Sequence, residues 1–352
     1  MRGGTARSGR AENKENPEER RREGMPQGMD WLRHWFSALT LRRTVRLNNP
    51  LRRSSHASGR SLKRFLKTYV KTPLRTLRLQ ASARLRQHDL IALATLFGTD
   101  KWGGSRYGPR GHWYAKRYAA HFAPLRLKRL NILEIGVGGY SDPKNGGESL
   151  RMWKAFFPHS TLYAIDIYEK RPLEERRINI FQGRQDDEAF LRKVAAEIGR
   201  LDIVIDDGSH VNAHVLKTFD VLFPLLDAHG FYVIEDTQTS YWPGFGGSSD
   251  DLTRRDTIMG HFTSLVNGLN HEELIKPGYA PSYLDRHIVA MHFYHNMIFI
   301  EKGDNREGSA AIVNNSTDAE WILRDYGRSS SYLTGKAQAP EVLIPPLRNA
   351  GS

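Results

Sequence analysis

Four times between residues 131 and 236 a short apolar run stops at or beside an acidic side chain: NILEI (131–135), TLYAIDI (161–167), LDIVID (201–206) and GFYVIED (230–236). A fifth run, INIF (178–181), is shorter. Segments with helical spacing separate them: SLRMWKAFF (149–157), DEAFLRKVAAEIG (187–199) and NAHVLKTFDVLFPLL (212–226). After a Gly/Ser/Trp-rich loop comes LTRRDTIMGHFTSLVNGL (252–269), also helical in spacing. IVAMHFY (288–294) and MIFIEK (297–302) then flank His295-Asn296, a tight hairpin signal. Strands that alternate with helices and end in a hairpin predict an α/β three-layer sandwich. Its seven-stranded sheet is mostly parallel, with one antiparallel strand.

The chain's 352 residues exceed one typical domain, and 39% hydrophobic residues suffice for a core. The net charge of +13 suggests a nucleic-acid binder until it is divided. Residues 1–86 hold 22 Lys/Arg against 6 Asp/Glu, whereas the remainder holds 30 against 33. Nucleic acid is therefore not expected at the body of the protein. Residues 1–30 are polar and aperiodic and read as disordered. Residues 31–87 read as a basic, partly helical arm, with Trp31, Leu32, Trp35, Phe36 and Leu39 on one helix face. That stretch suits an anionic membrane surface, a transit peptide, a helix packed on the main domain, or sequence upstream of an initiator at Met25 or Met29. The main domain is expected over 88–305, with 306–352 an irregular tail. No apolar run reaches the roughly 18 residues needed to span a bilayer, and a cytoplasmic location is expected. Cysteine is absent, which excludes disulfides, thiolate-held metals and a cysteine nucleophile.

The chemistry falls on the strand ends, where open α/β sheets bind ligands. Glu134-Ile135-Gly136-Val137-Gly138-Gly139 closes the first strand with glycines that let a nucleotide-like ligand approach the backbone. Residues 140–148 delay the next helix, which disfavours a pyrophosphate seat. Asp166, at the second strand's tip, is placed to accept bonds from ribose hydroxyls, and Gln182 to Asp186 to read an adenine edge. IDDGSH supplies Asp206, Asp207 and His210; VIEDTQTSYW supplies Glu235 and Asp236. Grouped carboxylates repel unless a cation neutralises them, and an all-oxygen set suits Mg²⁺ or Mn²⁺. A histidine three residues after Asp207 suits a general base. His112, in the loop after Lys101, is the one other histidine of interest. Tyr241, Trp242 and Phe245 form either an aromatic lid or a packed loop.

From Gly98-Thr99-Asp100-Lys101 to Gly246-Gly247, the runs LEIGVGGY, GGESLRMWKAFFP, IDDGSH and VIEDTQTSYWPGFGG resemble macrolide sugar O-methyltransferases of the macrocin and mycinamicin type. The resemblance implies a class I, Rossmann-like methyltransferase fold using S-adenosylmethionine and Mg²⁺ (or Mn²⁺). It implies cofactor contacts from Thr99, Lys101, Glu134, Gly136, Gly138, Tyr140, Asp166, Gln185 and Asp206. It places metal ligands on Asp207, Asp236 and Glu235, and the catalytic base on His210. The implied acceptor is a sugar or glycosylated natural product. The family's N-terminal oligomerising domain is not recognisable, so a homo-oligomer stays open.

Two other readings compete. A hydroxylase of the cephalosporin type shares the sheet but needs two histidines beside one acid, and His214 is the nearest second histidine in sequence. A binding protein tethered by its basic arm would show salt-dependent binding confined to residues 1–86.

Overall fold

Valine, isoleucine and leucine fill both faces of the central strands, which therefore need a layer of helices on each side. The computed structural model describes residues 72–103, 111–274 and 278–307. Residues 1–71 and 308–352, with the disordered segment, most of the arm and the tail expected there, lie outside the described residues.

The chain enters through helices α1 (Thr72–Leu85), α2 (Leu90–Phe97) and α3 (Ala115–Phe122). It then alternates: β1 (Asn131–Ile135), α4 (Glu148–Phe156), β2 (Thr161–Asp166), β3 (Ile178–Gln182), α5 (Glu188–Ile198), β4 (Leu201–Asp206), α6 (Asn212–Leu222) and β5 (Leu226–Glu235). Helices α7 (Ile258–Ser264) and α8 (Tyr283–His287) precede the hairpin of β6 (Ile288–Tyr294) and β7 (Met297–Lys302). The sheet order is β3-β2-β1-β4-β5-β7-β6, and β7 pairs antiparallel with both neighbours. The expected seven-stranded sheet and its single reversed strand are present.

Alternate residues of each strand feed opposite cores. Ile132, Ile203, Ile205, Val233 and Phe299 pack under α2, α3 and α4 with Tyr118, Phe122 and Trp153. Leu133, Val204, Tyr232, Ile234 and Ile300 face α5, α6 and α7 with Leu191, Phe219 and Phe262. Ala83 of α1 is buried with the first of these cores, so packing of the domain begins within the stretch expected to be the arm.

Two expected boundaries move. The helix expected over 212–226 ends at Leu222, because Pro224 disfavours helix in the residues before it. The freed chain joins β5, with Leu226 opposite Leu201. The helix expected over 252–269 is confined to α7, where Thr257 Oγ1 accepts from the Gly260 amide and caps the first turn. A 3₁₀ stretch, Val266–Glu273, follows it.

Candidate active site

The order reverses between β1 and β4, and the turns after these two strands interlock. Gly136 has φ +95°, and a Cβ there would lie 2.1 Å from the Asp207 carbonyl oxygen. The Gly136 amide donates to the Ile165 carbonyl at 2.8 Å, and the Asp207 amide to the Ile135 carbonyl at 3.0 Å. Gly138, at φ +77°, has open space where its Cβ would be. The backbone there is accessible to a ligand. Asp166 accepts from the Val137 amide at 3.0 Å and the Tyr168 amide at 2.8 Å. It ties the glycine turn to the second strand's tip, and each carboxylate oxygen keeps a second acceptor site. Tyr140, with φ +49°, is exposed on the following loop. Beneath that loop Lys170 is fully buried and donates to the Asp142 and Asn145 carbonyls at 2.7 and 2.9 Å.

Several residues expected to touch the cofactor are buried and hydrogen-bonded to one another or to the turns around them. Gln185 Nε2 donates to Asp206 Oδ1 at 3.1 Å, and its Oε1 accepts from the Ser209 amide at 2.6 Å. Its amide therefore clasps the IDDGSH turn, and burial pushes the Asp206 carboxyl up to about 7. Glu134 accepts from Ser149 Oγ and Trp153 Nε1, anchoring α4. Burial, opposed by Lys101, pushes its carboxyl up to about 7. Thr99 is buried, and its Oγ1 accepts from the Lys101 amide at 3.4 Å. Lys101 Nζ lies 2.6 Å from Asp207 Oδ2 and 2.7 Å from Glu235 Oε1.

The remaining groups converge. Ligand atoms of Asp207, His210 and Asp236 all lie within 4.8 Å of one another. His210 Nε2 is 3.6 Å from Asp236 Oδ2 and 4.0 Å from Asp207 Oδ1. His210 and Asp236 both take positive φ, +56° and +55°, which turns their side chains back toward the strand tips. The Tyr114 hydroxyl donates to Asp236 Oδ1 at 2.6 Å, and the His112 ring stacks on Tyr114 with its Nδ1 3.5 Å from the same oxygen. Burial would raise the Asp236 carboxyl, but His210, His112 and Tyr114 hold it below its ordinary range. Burial raises Asp207 despite Lys101. Glu235, expected among the metal ligands, is buried; it accepts from Lys101 and from the Tyr118 hydroxyl, and burial raises its carboxyl.

The facing oxygens of Asp207 and Asp236 are hard donors suited to Mg²⁺ or Mn²⁺, with the His210 imidazole beside them as a proton acceptor. Their mutual repulsion in a partly buried site favours a cation there. His210 Nδ1 is buried without a hydrogen-bond partner, leaving Nε2 as the nitrogen facing the acids. His214 lies outside this group. Its ring contacts Ser209 Oγ at 3.0 Å and Asp186 at 3.4 Å, so it does not furnish the second histidine of an iron triad.

The sequence reading missed Tyr114 and Tyr118. The spacing His112-x-Tyr114-x₃-Tyr118 was its available signal, since the last two stand four apart at the start of a helix.

The sheet order, the glycine turn after β1 and the acid ending β2 define a class I methyltransferase fold. No protein-family model matches the chain. It is 45% identical over 242 residues to mycinamicin VI 2''-O-methyltransferase of Micromonospora griseorubida, covering 68% of this chain and 57% of that protein. It is 44% identical over 252 residues to demethylmacrocin O-methyltransferase of Streptomyces fradiae, covering 71% and 60%. The solved structure of MycE methyltransferase in complex with Mg, SAH and mycinamycin VI matches with TM-score 0.59 at 39% identity, over 78% of this chain and 70% of that one. The chain belongs to the family of macrocin- and mycinamicin-type sugar O-methyltransferases. It spans less than two thirds of the length of those two enzymes. Among the described residues, no helix is long and apolar enough to cross a membrane.

Proposed function

We propose that the protein is a metal-dependent O-methyltransferase that moves a methyl group from S-adenosylmethionine to a sugar hydroxyl of a glycosylated natural product. The observation that carries this reading is the meeting of Asp207, His210 and Asp236 beside the Gly136–Gly138 turn. The relatives' names supply the acceptor class: one acts at a 2''-oxygen of mycinamicin VI, another on demethylmacrocin. Biosynthesis of a glycosylated antibiotic is the corresponding context.

When bound, the two cofactors supply the sulfonium methyl and a Lewis acid that acidifies a hydroxyl of a vicinal diol. Asp207 Oδ1 and Asp236 Oδ2 are the oxygens that would hold the metal. His210 Nε2 is the atom that would take the hydroxyl proton as the methyl passes from sulfur to oxygen. The Val137–Gly139 backbone and Asp166 seat the cofactor. Tyr241 and Trp242, half-exposed on the turns just after Asp236, offer aromatic faces to the sugar or aglycone. Positioning two reactants in one geometry provides much of the acceleration.

Calorimetric titration with S-adenosylmethionine, with and without Mg²⁺, tests the reading. Binding in the micromolar range is expected, followed by EDTA-sensitive methylation of a glycosylated macrolide. A folded protein that binds neither ligand ends this reading.

A further inference from the structure

Three neighbouring strand ends aim an acid at one ammonium. Lys101 is 1% exposed, and its Nζ lies 2.6 Å from Asp207 Oδ2, 2.7 Å from Glu235 Oε1 and 3.5 Å from Glu134 Oε1. Glu134 and Glu235 belong to β1 and β5, and Asp207 directly follows β4. An ammonium has three protons, and three carboxylates surround this one. Little donor capacity remains for a cofactor or acceptor, although the family resemblance implies a cofactor contact here. The stem is itself fixed: the Lys101 carbonyl accepts from the Ala115 amide at 2.9 Å, and α2 ends just before it at Gly98 in a left-handed conformation.

We infer that Lys101 is a positioning residue of the metal centre, a resident counter-ion that organises its acids before any metal arrives. This rests on the metal-dependent reading above. Lys101 holds Asp207 Oδ2, so Oδ1 is the oxygen turned toward His210. It also draws Glu235 back into the core, where the Tyr118 hydroxyl donates to the same oxygen. Lys101 sets one positive charge against Asp207, Glu235 and Glu134, which leaves Asp207 Oδ1 and Asp236 Oδ2 as the acid oxygens a divalent cation would meet. Removing a single partner from a buried ionic group leaves an uncompensated charge and is far costlier than removing both.

Lys101→Met, Lys101→Arg and the double variant Lys101→Met/Glu235→Gln test this through thermal melts with and without Mg²⁺. Metal-free Lys101→Met is expected to melt about 6–20 °C below wild type. Mg²⁺ should raise its Tm by at least twice the wild-type shift, because the cation then supplies the missing charge. Calorimetric affinity for S-adenosylhomocysteine should stay within about twofold of wild type, Lys101→Arg should recover part of the loss, and the double variant should melt above Lys101→Met. If Lys101→Met does not fold, recovery of folding by the added Glu235→Gln change carries the same information. An unchanged Mg²⁺ shift in Lys101→Met, or a double variant no more stable than the single one, overturns the proposal. A tenfold loss of S-adenosylhomocysteine affinity with an unchanged Mg²⁺ shift would make Lys101 a cofactor contact instead. Absence of any Mg²⁺ shift in wild type would remove the metal centre itself, an outcome distinct from failure of Lys101 alone.

Discussion

The Tyr114 hydroxyl donates to Asp236 Oδ1 at 2.6 Å, and that bond determines which oxygen of the fifth-strand carboxylate remains toward His210. Tyr114 is buried at the start of α3, so its ring has little freedom to follow a displaced acid. Tyr114→Phe keeps the packing and removes the donor. A hydrogen bond to a charged group contributes about 1.5–3 kcal/mol, so Mg²⁺ affinity should fall by about tenfold or more. S-adenosylmethionine affinity should remain, because the proposed cofactor seat lies at the β1 and β2 tips. Equal loss of both affinities in calorimetry would show that Tyr114 supports the fold rather than the acid.

His210 stands at the other oxygen of the same acid. His210→Ala should lower the methylation rate by about 10²–10⁴ while leaving S-adenosylmethionine binding intact. Its pH–rate profile should lack any acid limb expected of the wild-type enzyme. A variant with the wild-type limb would remove the base assignment and leave IDDGSH as a metal and capping turn.

The interlock of the β1 and β4 turns predicts a contrast between two glycines. A Cβ at Gly136 meets the Asp207 carbonyl oxygen at 2.1 Å, whereas one at Gly138 meets nothing. Gly136→Ala must therefore part the two strand tips and weaken both cofactor and metal binding, each by about tenfold or more, with a stability loss of about 2 kcal/mol or more. Gly138→Ala carries only the cost of a left-handed residue, about 1–2 kcal/mol, and should weaken the cofactor alone. Paired titrations of the two variants with each ligand distinguish these outcomes.

What the sequence disclosed follows from where each interaction lies along the chain. LDIVID and NILEI are buried runs that any reading identifies as strands, and topology then carries their acids to one edge. Gly136, Asp166, Asp207 and Asp236 were legible for that reason. The partners that orient the acids were not: Tyr114 is 122 residues from Asp236, and Lys101 is 134 from Glu235. No local pattern encodes a pairing at that separation. The internal partners of Gln185 were hidden for a related reason. A polar residue after the third strand is in the right place for a ligand, yet its amide is consumed by Asp206 and Ser209, which approach from β4. Helix α2, an almost wholly apolar LIALATLF, lacks the amphipathic stripe that marks a surface helix, although Asp89 and Gly98 bracket it as caps.

A last prediction concerns stability rather than catalysis. His121 of α3 stacks on Phe299 with ring centroids 4.2 Å apart, and its Nε2 lies 3.0 Å from the Tyr294 hydroxyl. Burial, reinforced by His292 with ring centroids 4.6 Å away, pushes its pKa down to about 4. The unfolded chain takes up this proton near pH 6.5, the folded chain only near 4. The unfolded state therefore binds more protons between these values, and stability falls as pH drops through the window. Between pH 7 and 4.5 this group should therefore lower stability. His121→Phe, which preserves the stacking, should lose less stability than wild type over the same interval. Urea melts of both proteins at pH 7 and 4.5 measure the difference, and parallel losses would show that His121 titrates alike in the folded and unfolded chains.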